Sequence, residues 1–151
     1  MTPAAVQLAR RRRTRQHSGV PVTVTHDLPR QWLRACAAGS LSIDDTIEFI
    51  RTVRAPLELR MWPLIFDARS CRTSMTAADV DTAVDAVRKV AEQRQQRAHV
   101  ALVADDDGLY SWFLDYETRC VAIGVRIIRV FRQYDDAERW LEIVSAACDL
   151  G

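Results

Sequence analysis

Three stretches of this chain share one local pattern: a capping side chain followed three residues later by a carboxylate. They are Ser42-Ile-Asp-Asp45, Thr76-Ala-Ala-Asp79 and Asp135-Asp-Ala-Glu138. In a capping box of this kind the first side chain accepts from a free amide and the acid reaches back, so each stretch predicts a helix start. Apolar residues at helical spacing follow each one. After the first come Ile43, Ile47, Ile50 and Arg54, with Phe49 and Val53 broadening the face. That helix is expected to stop near Arg54, ahead of Pro56. Val80, Ala83, Val84, Val87, Val90 and Ala91 follow the second box, and Ala137, Trp140, Leu141 and Val144 the third. A fourth stripe, Leu109, Trp112, Phe113, Tyr116 and Cys120, marks another helix. Asp106 or Asp107 is its expected cap, and Gly124 suits a left-handed C-terminal position.

Short apolar runs fill the gaps between these helices. VPVTVTHD (20–27) alternates like a half-buried strand, and QWLRACAAG (31–39) reads as a second strand closing at Gly39, antiparallel to the first. MWPLIFDA (61–68) and HVALVAD (99–105) are nearly continuous apolar runs, the pattern of strands covered on both faces. VRIIRVF (125–131) reads as a fifth strand. The order β-β-α-β-α-β-α-β-α predicts an α/β fold: a mixed five-stranded sheet, mostly parallel, with four helices and the first strand antiparallel at one edge.

Side chains able to do chemistry are sparse. His17, His26 and His99 stand beside no serine or cysteine in a nucleophile elbow, and five glycines form neither GxGxxG nor a Walker loop, so no cofactor is expected. Asp105, Asp106 and Asp107 follow the fourth strand, and Asp67 is expected to end the third. Parallel strands bring their C-terminal ends to one edge, where ligands bind, so these four acids form a candidate ligand or magnesium edge. A magnesium-dependent enzyme built on them is the weakest of three functional expectations.

GSLSIDDTIEFI, LIFDA and VRIIRVFRQYDDAERWL, with the strand and helix order, resemble the STAS-like domains related to anti-anti-sigma factors, in a broad bacterial branch of stand-alone members. The resemblance covers roughly residues 20–145. It implies a non-catalytic protein-interaction or regulatory module whose partner is another protein. Regulatory members carry a phosphorylatable serine after the third strand, usually in Asp-Ser-Ser-Gly. This chain has FDARSCRTSMTAAD there, without that word. Thr73 and Ser74 are the corresponding candidate phosphoacceptors in an interaction loop, with Arg69 and Arg72 able to supplement the helix start in holding a phosphate. An alternative expectation is a small apolar or lipid-like ligand held between the third helix and the sheet.

Composition decides what surrounds this domain. With 151 residues, 48% hydrophobic and 27% charged, the chain can bury a core, which excludes a wholly disordered or collagen-like protein. No run approaches the ~18 apolar residues of a membrane helix. Cysteines 36, 71, 120 and 148 form no CxxC pair and are expected to serve as reduced, small apolar residues in the cytoplasm. Of the net charge of +1, residues 1–19 hold five arginines and no acid, which leaves −4 on the rest. Residues 1–19 therefore read as a basic tail, able to touch nucleic acid or anionic lipid, and residues 20–151 as a single domain. No apolar stretch follows the arginines, so an export signal is not expected. Removing residues 1–19 should leave the melting temperature within a few degrees. A loss above ~2 kcal/mol in urea titrations would show that the tail packs.

Overall fold

The computed structural model describes residues 22–94, 98–124 and 127–150, the side chains of 94 and 147–150 excepted. The basic tail, the start of the first strand at residues 20–21 and residues 125–126 lie outside the described residues. Strands β1 (Val22–Asp27), β2 (Trp32–Leu41), β3 (Leu64–Thr73), β4 (His99–Ala104) and β5 (Ile127–Phe131) form one sheet in the order β1-β2-β3-β4-β5. β1 runs antiparallel to β2, and every later pair is parallel. Among the described residues four α-helices complete the α/β fold: α1 (Ile43–Thr52), α2 (Ala77–Arg94), α3 (Asp107–Ala122) and α4 (Tyr134–Leu150).

Neighbouring strands laid down in sequence order with right-handed crossovers put every crossover helix on one face. The core divides accordingly. Ile50 of α1, Val80, Ala83 and Val87 of α2, and Leu109, Trp112, Phe113 and Tyr116 of α3 pack on Leu33, Leu64, Phe66, Val100, Leu102 and Ile128. On the other face Ala137 and Leu141 of α4 pack alone on Trp32, Ile65, Ala101 and Val103. β3 and β4 are thus buried from both sides, as their apolar runs require.

The helix starts show why the local pattern works. Ser42 Oγ accepts from the Asp45 N–H at 3.1 Å, Thr76 N–H donates to Asp79 Oδ2 at 2.8 Å, and Asp106 Oδ2 accepts from Leu109 N–H at 3.0 Å. Gly124 takes φ +72° at the end of α3. At the third box the outcome differs: α4 begins at Tyr134, and the Gln133 carbonyl accepts the first helical bond from Ala137 N–H at 3.3 Å. Asp135 and Asp136 sit in the first turn, where the helix dipole favours acids. Glu138 turns to the sheet instead, with Oε2 2.9 Å from Arg34 Nη1. Arg34 also donates to Asp27 and, at 2.7 Å, to the Tyr134 hydroxyl, so one guanidinium joins the β1–β2 hairpin to α4.

Four boundaries and one burial differ from expectation. β2 passes through Gly39, whose φ of +107° only glycine adopts readily, and continues to Leu41. α1 ends two residues early, at Thr52. β3 begins at Leu64 and, past a bulge, keeps pairing with β2 as far as Thr73, opposite Leu41. Between Cys36 and Ala38 β2 advances two residues while β3 advances three, from Asp67 to Ser70. Asp67 therefore lies inside the strand, not at its end. Cys36 is exposed, while Cys71 and Cys120 are buried and Cys148 is not among the described side chains.

Leu141 is fully buried at the centre of the α4 layer. Leu141→Ala should cost about 2–5 kcal/mol in urea unfolding. A cost below ~1 kcal/mol would mean that α4 is held by the Arg34 contacts rather than by apolar packing.

Candidate functional site

Aromatic side chains converge between α1, α3 and the sheet but do not fill the space. Phe49 and Phe66 lie 5.0 Å apart, Phe66 and Phe113 6.4 Å, and Trp112 stacks on Tyr116 at 5.7 Å. With Leu64, Val100 and Leu102 they line a partly open cavity of about 60 Å³, whose wall also includes Val22, Thr46 and Val53. That exceeds the ~10–15 Å³ one water needs and falls short of the ~150 Å³ that accepts benzene. Among the described wall residues only Asp45 and Arg54 are charged. Arg54 is 1% exposed and donates from Nε to the Trp62 carbonyl at 3.1 Å. The site thus lies where the third helix meets the sheet, with α1 as an additional wall.

The segment between β3 and α2 leans on this cavity. Thr73 is the last residue of β3 rather than a loop residue. Its Oγ1 donates to the Leu41 carbonyl at 3.4 Å and accepts from Met75 N–H at 2.9 Å. Ser74 is exposed, and its N–H reaches the same Leu41 carbonyl at 3.4 Å. Arg72 is exposed beside it.

Arg69 serves elsewhere. Two residues along the strand, it shares the side of Asp67, and the two form a fork: Nε to Oδ1 at 2.9 Å and Nη2 to Oδ2 at 2.8 Å, with Arg69 N–H on Oδ1 at 3.1 Å. Arg69 holds the Asp67 carboxyl below its usual range. Its Cζ sits 5.0 Å over the Tyr134 ring, so the pair belongs to the α4 face. Cys36, exposed yet partly desolvated beside Asp67 in the register, has its thiol raised first by that desolvation and then by the carboxylate, which disfavours the thiolate. Burial pushes Cys71 up to about 11.

The acidic cluster does not assemble with Asp67. Asp106 is spent on the α3 cap, Asp107 pairs with Arg132 at 2.8 Å, and the Asp105 carbonyl accepts from Arg132 at 2.8 Å. Arg132 also lies 4.0 Å over the Tyr110 ring, closing the end of the sheet with a basic group. Among the described residues no three His, Cys, Asp or Glu side chains come together to hold a metal. His26 packs edge-on against Trp62 and His99 against Trp140. No helix among the described residues is long and apolar enough to cross a membrane.

No family model and no curated protein matches the chain.

The Asp67 fork has a pH signature. Its carboxyl is depressed in the folded state, so the stability it contributes is present above the unfolded value of about 3.9 and is lost as pH falls through the lower folded value. Asp67→Asn should be less stable than wild type at pH 7, and the gap should close below about pH 4. A gap unchanged down to the acid limit would place its origin in packing.

Proposed function

We propose that this chain is a non-catalytic binding module of STAS-like type, working in the cytoplasm, that holds a small neutral apolar molecule between α1, α3 and the sheet. The cavity carries this reading. Its walls are aromatic and aliphatic, and the one acid and one base on it leave no net charge to favour an ionised ligand. Its narrow volume suits the end of an unbranched chain better than a ring, with the rest of the molecule lying towards Val53 and Thr46. The topology agrees with the resemblance carried by GSLSIDDTIEFI, LIFDA and VRIIRVFRQYDDAERWL.

A second reading, docking of another protein at the corner after β3, draws on the exposure of Ser74 and Arg72 ahead of α2. Ser74 is the better phosphoacceptor candidate, because the Thr73 hydroxyl is built into the turn. Phosphate found on Ser74 in the cell, with Ser74→Glu weakening partner capture and Ser74→Ala not, supports it.

Hexan-1-ol is a direct probe of the first reading. Titration should shift the backbone amides of Phe49, Phe66 and Phe113 in heteronuclear NMR spectra. Val53→Phe, which adds bulk at the half-buried rim, should reduce the affinity at least about tenfold, or ~1.4 kcal/mol. Saturating hexan-1-ol without shifts at these residues would sink the apolar-ligand reading.

A further inference from the structure

We propose that the Thr73–Thr76 segment is coupled to the cavity, so that a molecule bound inside tightens this corner of the surface; the inference rests on the apolar-ligand reading above. Three wall residues hold the segment independently. Leu41, at the end of β2, offers its carbonyl to both Ser74 N–H and Thr73 Oγ1, each at 3.4 Å. Thr46, on α1, places Oγ1 3.5 Å from Met75 Sδ. Trp112, on α3, donates its indole N–H to the Thr76 carbonyl at 2.9 Å. The segment is thus fastened to three different elements around one cavity.

The physical route is short. The Leu41 side chain and the Trp112 ring both line the cavity, where an apolar ligand can supply the close contacts of a packed core. A ligand provides those contacts and narrows the motion of both residues. Their partners in the segment are backbone groups and the Thr73 hydroxyl, with no intervening flexible side chain, so the restriction passes directly to the corner. Coupling between two sites is reciprocal: whatever holds the corner still must favour the occupied cavity by the same factor. Met75, only 9% exposed, anchors the middle of the segment, while Ser74 and Thr76 stay at the surface where a partner can reach them.

Hydrogen exchange reads the coupling, because every amide of the turn is already bonded: Ser74 to Leu41, Met75 to Thr73 Oγ1 and Thr76 to the Asp79 carboxylate. The full chain is measured by NMR with and without hexan-1-ol. Exchange at Ser74 and Met75 should slow by about threefold or more on binding, while Leu141 in the opposite layer stays unchanged. Thr73→Val leaves the cavity wall intact but removes the hydroxyl from both of its bonds, so the amides of Phe49 and Phe66 should still shift while the slowing at Met75, whose N–H loses its acceptor, shrinks. If hexan-1-ol shifts the wall residues of the wild type and the Ser74 and Met75 rates do not move, the coupling is wrong and the cavity reading stands. If no wall residue responds, both fall. Slowing at Met75 that persists undiminished in a folded Thr73→Val protein also overturns the proposal. Should that variant not fold, Thr73→Ala, which removes the same hydroxyl, takes its place with the same expected loss.

Discussion

The burial of β3 from two sides organises this molecule. Leu64, Phe66 and Ala68 face the three crossover helices, and Ile65 between them faces α4. A parallel strand at the centre of a sheet must be covered on both faces, and the two coverings here are unequal. Three helices share one face and build most of the core. One helix serves the other, so the part of that face it leaves uncovered, over β1 and β2, has to be polar. Arg34, Asp27, Glu138 and Tyr134 form the seam between the covered and uncovered parts, and Trp32 lies under Arg30 and Arg34 at 4.7 and 5.2 Å.

The bulge in β3 links this arrangement to the candidate site. One extra residue between Asp67 and Ser70 changes the alternation, so that Cys71 returns to the same core as Leu64 and Phe66 although it is an odd number of residues away. Without it, the strand end would present Cys71 to the α4 side and Arg72 to the core. Asp67 and Arg69, two residues apart, share the α4 side as in any strand and close into a fork. The extra residue also sets Thr73 back by one position, opposite Leu41, which brings Thr73 Oγ1 and Ser74 N–H to the Leu41 carbonyl.

The cavity follows from the shapes available to fill it. Large planar rings on α1, β3 and α3 meet at tilted and edge-on angles, and rings packed in that way leave gaps that smaller branched residues could close. α1 is only ten residues long, and Arg54, two residues beyond its end, places a buried guanidinium in the wall.

Helix starts, apolar stripes and the order of elements were legible in the chain because they depend on contacts within a few residues: Ser42 to Asp45, Thr76 to Asp79, Asp106 to Leu109. Such bonds are set by local spacing, and order plus handedness then leaves few topologies. Even the odd member of the first stripe was visible, since Arg54 stands where periodicity asks for an apolar residue. What could not be read there is set by pairing between distant strands. Asp67 looks like a strand end until β2 is laid beside it and pairing runs on, and Asp105–Asp107 look like one site until Asp106 caps α3 and Arg132, from beyond β5, pairs with Asp107. The cavity depends on how Phe49, Phe66, Phe113 and Tyr116, 67 positions apart at their extremes, fit against one another in three dimensions. Spacing along a chain records which side chains share a face; whether facing side chains fill the volume between them is decided only when the faces meet.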